Sequence, residues 1–184
     1  MAKKITFGLA LLVVFLGAIG FSGLKVVQHR ILLNAKAPHL VSSPEPEIDF
    51  PFRKLDGSQV HLAETKGKVV FVNLWGTWCI QCVAEMPTVQ ALYNRFRGDP
   101  SVVFLIISRL DSPGTVSRYA RLNHLDLSFY TADDADIPAS MQLNQFPATF
   151  IYSPNGMMMV KHTGAADWSA PAVVSYITDL ETKR

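Results

Sequence analysis

The chain contains only two cysteines, Cys79 and Cys82, and they are spaced Cys-x-x-Cys. An apolar, β-branched run at residues 69–74 precedes them and predicts a buried strand, and apolar residues at helical spacing follow them. The pair is therefore expected at the start of a helix, where unpaired N–H groups favour a thiolate over a thiol. Residues three apart share a helix face and lie close enough for their sulfurs to bond. This pattern predicts a reversible dithiol/disulfide pair.

Other uses of the two cysteines fit the sequence less well. Covalent haem attachment requires a histidine after the second cysteine, where this chain has Val83. A structural zinc site needs four ligands, and the histidines are scattered singly. A purely structural disulfide would close a very short loop and would remove little entropy from the unfolded chain. We therefore expect no metal and no cofactor here. The histidines are His29, His39, His61, His124 and His162.

Residues 5–24 form an apolar stretch that is broken only by Thr6 and Ser22. Twenty helical residues rise about 30 Å, which is the thickness of the hydrocarbon core of a bilayer. We expect residues 1–30 to form an N-terminal membrane anchor. A cleaved signal peptide is the alternative, although its apolar core would be only about 7–15 residues long. Basic residues flank the stretch on both sides, so charge alone does not set its orientation.

The formal net charge of the chain is +2, but the charge is unevenly distributed. Five of the 17 basic residues precede Pro38, whereas all 15 acidic residues follow it. The chain after Pro38 therefore carries 12 basic and 15 acidic residues, a net charge of −3. Dispersed, mildly acidic charge is not typical of nucleic-acid-binding domains. We expect no nucleic-acid partner.

The remainder of the chain divides into a linker and one folded domain. Residues 31–47 contain three prolines together with Ser and Glu, which is typical of an extended spacer. The domain is expected at residues 48–184. Turn signals predict β-hairpins at residues 50–62, around Asp56-Gly57, and at residues 148–162, around Asn155-Gly156. Three more strands are expected at residues 69–74, 102–107 and 127–130. Four helices are expected near residues 79–97, 112–123, 138–143 and 169–180.

This order of elements predicts an α/β fold in which a mixed sheet has helices on both faces. The strands at 69–74 and 102–107 are joined by a helix, so they are expected to lie side by side in a right-handed parallel crossover. Asp133, Asp134 and Asp136 precede the predicted helix at 138–143. We interpret them as solvated residues at a helix start rather than as metal ligands.

Three motifs occur in a characteristic order along the domain. The strand at 69–74 leads into Trp75-Gly76-Thr77-Trp78-Cys79-x-x-Cys82, Glu85-Met86-Pro87 follows, and Phe146-Pro147-Ala148-Thr149-Phe150 comes later. On these motifs, residues 48–180 resemble the thioredoxin fold, and more closely the membrane-anchored TlpA/ResA/CcmG-like thiol–disulfide oxidoreductases. The resemblance implies a thioredoxin fold with a mixed central sheet flanked by helices and an added N-terminal β-hairpin.

The resemblance also implies roles for the residues of these motifs. Cys79 would be the exposed nucleophile, and Cys82 would be the buried thiol that resolves the mixed disulfide and forms a disulfide with Cys79. Pro147 matches the cis-proline of the family, with the backbone of Phe146 free to pair with an extended client segment. An ordinary edge-strand proline is the alternative. Trp78 is expected to lie beside the active-site loop and to contact the substrate.

Three further positions concern proton transfer and redox potential. Glu85 matches an acidic residue of the subfamily and lies one helical turn beyond Cys82, close enough to exchange a proton with that thiol or to raise its pKa. A solvated helix charge is an equal alternative for Glu85. Asn73 replaces the buried Asp of cytosolic thioredoxins, so that proton relay is expected to be absent. Gln81 stands where many relatives have proline, which leaves the direction of electron flow open.

The function implied by the resemblance is that of an anchored oxidoreductase whose domain faces the periplasm or another extracytoplasmic space. It would keep the disulfides of client proteins reduced, for example those of apocytochrome c in cytochrome c maturation, and a membrane electron donor of the thiol-reductase type would recharge it. The alternatives are an oxidant or isomerase of the same fold, and a thioredoxin-like binding module without turnover. A peroxidase fits less well, because that chemistry usually relies on a lone cysteine in a different motif.

Overall fold

The computed structural model describes residues 20, 22–28, 30–31, 35–40, 44–46 and 48–182. Eight strands form one mixed sheet in the order β1-β8-β7-β4-β5-β6-β2-β3, which confirms the predicted α/β class. The strands are β1 (Glu45–Pro46), β2 (Pro51–Lys54), β3 (Gln59–His61), β4 (Val69–Trp75), β5 (Val102–Arg109), β6 (Phe129–Ala132), β7 (Ala148–Tyr152) and β8 (Met157–Thr163).

Strand β4 lies at the centre of the sheet, parallel to β5 and antiparallel to β7. All seven of its residues are buried. This follows from its position, because a central strand covered on both faces carries apolar side chains on both sides. The predicted parallel crossover from β4 to β5 is confirmed. Since β4 ends at Trp75, it delivers the chain to the helix start that carries the cysteines.

Three α-helices of the domain pack on one face of the sheet. They span Ile80–Phe96, Pro113–Leu122 and Pro171–Thr182. Each contributes to a core cluster that also contains the odd-numbered apolar residues of β4. The other face is covered by the β2–β3 hairpin and by residues around Ile137 and Met141. The predicted mixed sheet flanked by helices is confirmed, with these three α-helices on one face and the 3-10 helix Leu62–Thr65 contributing Leu62 to the other. The chain moves in one direction from β4 through β5 to β6, so right-handed crossovers place both connecting helices on the same side.

Both predicted hairpins are confirmed, with Gly57 at φ +89° in the first turn. The third predicted strand lies two residues later than expected, at Phe129–Ala132. The helix predicted at residues 138–143 was wrong. The structure has a 3-10 helix at Asp134–Asp136 and then one turn, in which the Pro138 carbonyl accepts from two backbone N–H groups. The Gln142 side chain donates to backbone carbonyls in this segment, which is too short to propagate a helix.

Most of the predicted membrane anchor lies outside the described residues. Residues 22–28 and 30–31 are helical. Within the part of the chain that the structure describes, no helix has the length and apolar character needed to cross a bilayer. The anchor at residues 1–30 thus stays a prediction.

The predicted linker, residues 31–47, contacts the domain at several points. Glu45 and Pro46 pair with β8 at the edge of the sheet. The Lys36 carbonyl accepts a hydrogen bond of 3.0 Å from the backbone N–H of Asp167, and Leu40 packs against the core. The domain boundary at residue 48 stays a prediction, and these contacts extend the sheet by one short strand beyond it.

Candidate active site

Cys79 and Cys82 form a disulfide at the N-terminus of the active-site helix, Ile80–Phe96. Their Cα atoms are 5.3 Å apart, within the range that a disulfide requires. Cys79 is the N-cap residue, and its Sγ accepts a hydrogen bond of 3.1 Å from the backbone N–H of Cys82. After reduction, the same N–H group and the helix dipole would stabilise a thiolate at Cys79.

The two sulfurs differ in how far a client can reach them. Cys79 is 8% exposed and Cys82 is fully buried. Cys79 is therefore the more accessible of the two sulfurs, and its role as the nucleophile stays a prediction. Cys79 is less exposed than expected, because its side chain caps the helix and accepts a hydrogen bond from the Cys82 N–H.

The loop before the cysteines is fastened by one carboxylate from the end of the neighbouring strand. Asp111 accepts hydrogen bonds of 2.8 Å from both the backbone N–H and the hydroxyl of Thr77. Its Oδ2 also accepts one of 2.7 Å from the hydroxyl of Ser108. Three donors on one carboxylate hold the loop in a single position. The helix start that carries Cys79 is therefore anchored to β5 as well as to β4.

Trp78 and Phe146 form two aromatic walls beside the disulfide. Trp78 is 53% exposed, and its ring meets the Phe146 ring edge to face, with centroids 5.4 Å apart. The Phe146–Pro147 peptide bond is cis, as the resemblance implied. The Pro147 carbonyl accepts a hydrogen bond of 2.9 Å from Gly164. The structure therefore brings together all three residues that the sequence assigned to substrate binding.

A groove of about 600 Å³ lies beside these walls and is lined in part by Cys79. Among the described residues, no lining side chain carries a formal charge. The lining residues are Trp78, Cys79, Ile80, Gln81, Asn144, Gln145, Phe146 and Gly164. Its open form suits a peptide segment better than a fully enclosed small molecule.

Glu85 lies one helical turn beyond Cys82 and is buried, with 1% of its surface exposed. Its Oε1 accepts a hydrogen bond of 2.9 Å from Asn73, and its Oε2 accepts one of 2.9 Å from the Trp168 indole and one of 3.1 Å from the Ala166 backbone. Burial raises the pKa of this carboxyl to about 7, and the hydrogen bonds oppose part of that rise. The alternative of a solvated helix charge was therefore wrong.

Several residues of the site were not identified from the sequence. Trp168 and Ala166 lie more than 80 positions from Glu85 and reach it only through the fold. Thr149 shares the Asn73 amide, which donates to its hydroxyl at 2.8 Å. Asn73, a polar residue in an otherwise apolar strand, was the one signal in the sequence that could have indicated a buried polar cluster.

The aspartates near residue 134 act as partners of arginines. Asp133 pairs with Arg53 at 3.2 Å, and Asp134 pairs with Arg109 at 2.6 Å. Over the described ranges, no three or more His, Cys, Asp or Glu side chains converge so as to bind a metal ion.

Comparisons with known proteins point to one family. The model of the AhpC/TSA family matches residues 42–161, which is most of the domain and includes both cysteines. The chain is 26% identical over 167 residues to "Thiol-disulfide oxidoreductase ResA" of Bacillus cereus (strain ZK / E33L), a match that covers 88% of this chain and 89% of the relative. A protein of the same name from Geobacillus kaustophilus is 27% identical over 162 residues, and the match covers 88% of each chain.

Solved structures agree with this assignment. A Bacteroides vulgatus protein superposes with a TM-score of 0.65 at 27% identity, covering 75% of this chain and 96% of that one. A thiol:disulfide interchange protein of the thioredoxin family from Chlorobium tepidum superposes with a TM-score of 0.62 at 21% identity, covering 74% and 97%. With the expected thioredoxin-like fold confirmed in this way, the chain belongs to the AhpC/TSA family.

Proposed function

We propose that this protein, a thiol–disulfide oxidoreductase, reduces the disulfides of client proteins outside the cytoplasm. The observation that carries the proposal is the Cys79–Cys82 disulfide at a helix start, with the buried carboxyl of Glu85 one turn further along the same helix. Two vicinal sulfurs of unequal accessibility are suited to a two-step exchange. The apolar stretch at residues 5–24 supports attachment to a membrane.

The exchange begins with the reduced protein. The Cys79 thiolate attacks one sulfur of a client disulfide, a mixed disulfide forms, and the client's other sulfur leaves as a thiolate. The Cys82 thiolate then attacks the Cys79 sulfur and releases the second client thiolate. The client gains two electrons, and the protein is left with the disulfide seen here. A membrane electron donor of the thiol-reductase type would return it to the dithiol form.

Glu85 serves the second step in this scheme. Cys82 is fully buried, and burial in apolar surroundings raises the pKa of a thiol. Its proton must be removed before it can attack. A carboxyl one helical turn away, with a pKa of about 7, is partly ionised at neutral pH and can accept that proton. Since Asn73 and Trp168 fix both carboxyl oxygens, the acceptor is already in position before the step begins.

Phe146 and Pro147 provide the docking edge for the client. The groove is lined by both Phe146 and Cys79. In this scheme, an extended client segment pairs with the backbone beside the cis-proline while Trp78 packs against its side chains. Apocytochrome c is a client of suitable kind, because its two haem-binding cysteines must be reduced before the haem is attached.

The decisive experiment is trapping in intact cells. A Cys82→Ala variant retains the nucleophile but lacks the resolving thiol, so it should accumulate mixed disulfides with its clients. A Cys79→Ser variant is the matched control and should trap none. If Cys82→Ala captures nothing covalently while a non-covalent partner co-purifies, the protein is a binding module and the proposal fails.

The direction of electron flow is tested separately through the reduction potential of the Cys79–Cys82 pair. A value near that of thioredoxin, about −270 mV, agrees with a reductant, whereas a value near −120 mV would make the protein an oxidant. Trapped proteins with a paired Cys-x-x-Cys motif would support the role in cytochrome c maturation.

A further inference from the structure

Arg109, the last residue of β5, lies under the aromatic walls of the disulfide groove. Its side chain is 10% exposed, which is unusual for an arginine away from an interface. The guanidinium lies over the Phe146 ring at 4.8 Å from the ring centroid. Its Nε donates a hydrogen bond of 2.6 Å to Asp134. Arg109 therefore connects a charged partner on one side to the proposed docking residue on the other.

The Asp134 carboxylate makes this placement stable. A buried cation is costly unless it is paired and hydrogen-bonded. Pairing with Arg109 holds the pKa of Asp134 below its usual value, so the ion pair persists at neutral pH. The guanidinium is thereby held in place over the Phe146 ring.

The backbone of Arg109 holds the second aromatic wall. Its carbonyl accepts a hydrogen bond of 3.3 Å from the Trp78 indole. Since the Trp78 and Phe146 rings also contact each other, both walls are tied to Arg109. Trp78 is half exposed, and the Arg109 carbonyl, the Phe146 ring and the backbone of Gly76 together limit its rotation.

We propose that Arg109 is a positioning residue for client binding, which holds Phe146 and Trp78 at the spacing that an extended disulfide-bearing segment needs. The inference rests on the proposed function, because it assumes that clients bind along Phe146. Preorganised walls lower the ordering cost of binding. Small disulfides that reach Cys79 without using the groove should not depend on Arg109.

The test compares Arg109→Gln with Arg53→Gln. Both substitutions remove one arginine and its ion pair with an aspartate, but Arg109 lies over the Phe146 ring whereas Arg53 pairs with Asp133. Two probes are used with the dithiothreitol-reduced, full-length protein: insulin, a protein disulfide, and bis(2-hydroxyethyl) disulfide, a small one. For Arg109→Gln we expect the KM for insulin to rise about fivefold, with kcat and the rate with the small disulfide unchanged. Arg53→Gln should match the wild type with both probes.

Each other outcome overturns the proposal in a distinct way. Unchanged kinetics of Arg109→Gln with insulin would show that Arg109 does not position the groove, while the proposed function stands. An equal loss with both probes would show that the residue supports the disulfide and not the client. Failure of the wild type to reduce either probe would reject the proposed function itself.

A double-mutant cycle keeps the proposal testable if Arg109→Gln is poorly folded. Arg109→Lys retains a cation over the ring and should recover most of the affinity for insulin. Arg109→Met keeps the length of the side chain but removes the cation, so it should raise the KM for insulin in the wild-type background but not in a Phe146→Leu background, where the ring through which Arg109 acts is gone. Additive effects in this cycle would contradict the proposed contact.

Discussion

The carboxyl group of Glu85 occupies a site that opposes its ionisation while supplying three donors to it. Burial raises its pKa from 4.5 to about 7, and the donors come from Asn73, Trp168 and Ala166. The group is therefore balanced between its two protonation states at neutral pH. This balance is what a proton acceptor for a neighbouring thiol requires.

Replacing Glu85 by Gln should remove the acceptor with little change in shape. In the wild type, the resolving step should slow as pH falls through 7, because Glu85 becomes protonated and cannot take the Cys82 proton. We expect Glu85→Gln to resolve mixed disulfides about 100-fold more slowly at pH 7.5 and to lose the inflection near pH 7. Single-turnover release of the second client thiol measures this step. Glu45→Gln, at an exposed carboxyl, is the control, and an identical pH profile in both variants would contradict the role.

The same pKa shift predicts how stability depends on pH. Because the pKa of Glu85 is higher in the folded protein than in the unfolded chain, the folded state binds the proton more tightly between about pH 4.5 and 7. This contribution is complete below pH 4.5 and is lost as pH rises through 7, by roughly 3 kcal/mol. Glu85→Gln should lack this loss. Urea unfolding of the oxidised wild type and of oxidised Glu85→Gln at pH 5 and pH 8 measures this loss. Equal changes in the free energy of unfolding of both proteins would show that the pKa of Glu85 is not raised.

At this scale, the sequence predicts what lies close along the chain. Cys79, Cys82 and Glu85 are spaced by three within one helix, so periodicity alone places them on one face. Their surroundings depend on long-range contacts. Trp168 and Arg109 come from distant segments, and nothing local distinguishes them from ordinary core or surface residues.

The element that connects β5 to the next helix carries backbone strain. Leu110 has φ +64° and is 74% exposed, a conformation that costs a non-glycine residue about 1–2 kcal/mol. Its neighbours explain why it persists: Arg109 is fixed by Asp134, and Asp111 is fixed by the Thr77 loop. The surrounding contacts thus over-determine the turn.

Leu110→Asn should therefore stabilise the protein, since asparagine tolerates this region of φ and ψ. We expect a gain of about 0.5–1 kcal/mol in the free energy of unfolding. Leu122→Asn is the matched control, because Leu122 is equally exposed but helical, and there the change should be neutral or slightly destabilising. Thermal unfolding of the three proteins measures the difference. Equal shifts in both variants would show that the turn is not strained.

Elements with strong periodic patterns were predicted within a few residues, whereas the short segment at residues 138–143 was not. The active-site helix has a buried stripe over 17 residues, which local pattern reveals. The segment after Asp136 has Pro138 and only one turn of hydrogen bonds. Its form is decided by the Gln142 side chain, which binds two backbone carbonyls in place of a helical ladder.

For the whole molecule, the contacts of residues 35–40 and 44–46 with the domain are expected to add to its stability. A fragment of residues 35–184 keeps the Lys36–Asp167 hydrogen bond and strand β1, whereas a fragment of residues 48–184 loses both. We expect the longer fragment to be more stable by about 1–3 kcal/mol, the net value of a few hydrogen bonds. Chemical denaturation of the two fragments measures this difference in the free energy of unfolding. Equal stability would support the domain boundary at residue 48.

The outermost strands of the sheet, β1 and β3, are two and three residues long, and β1 contains Pro46. Long, flat, apolar borders act as templates on which other chains assemble into aggregates. Proline cannot donate a backbone N–H, and such short strands offer few groups for a foreign strand to pair with. A thiol–disulfide oxidoreductase built in this way is thus protected from co-assembling with cysteine-bearing chains through its own borders.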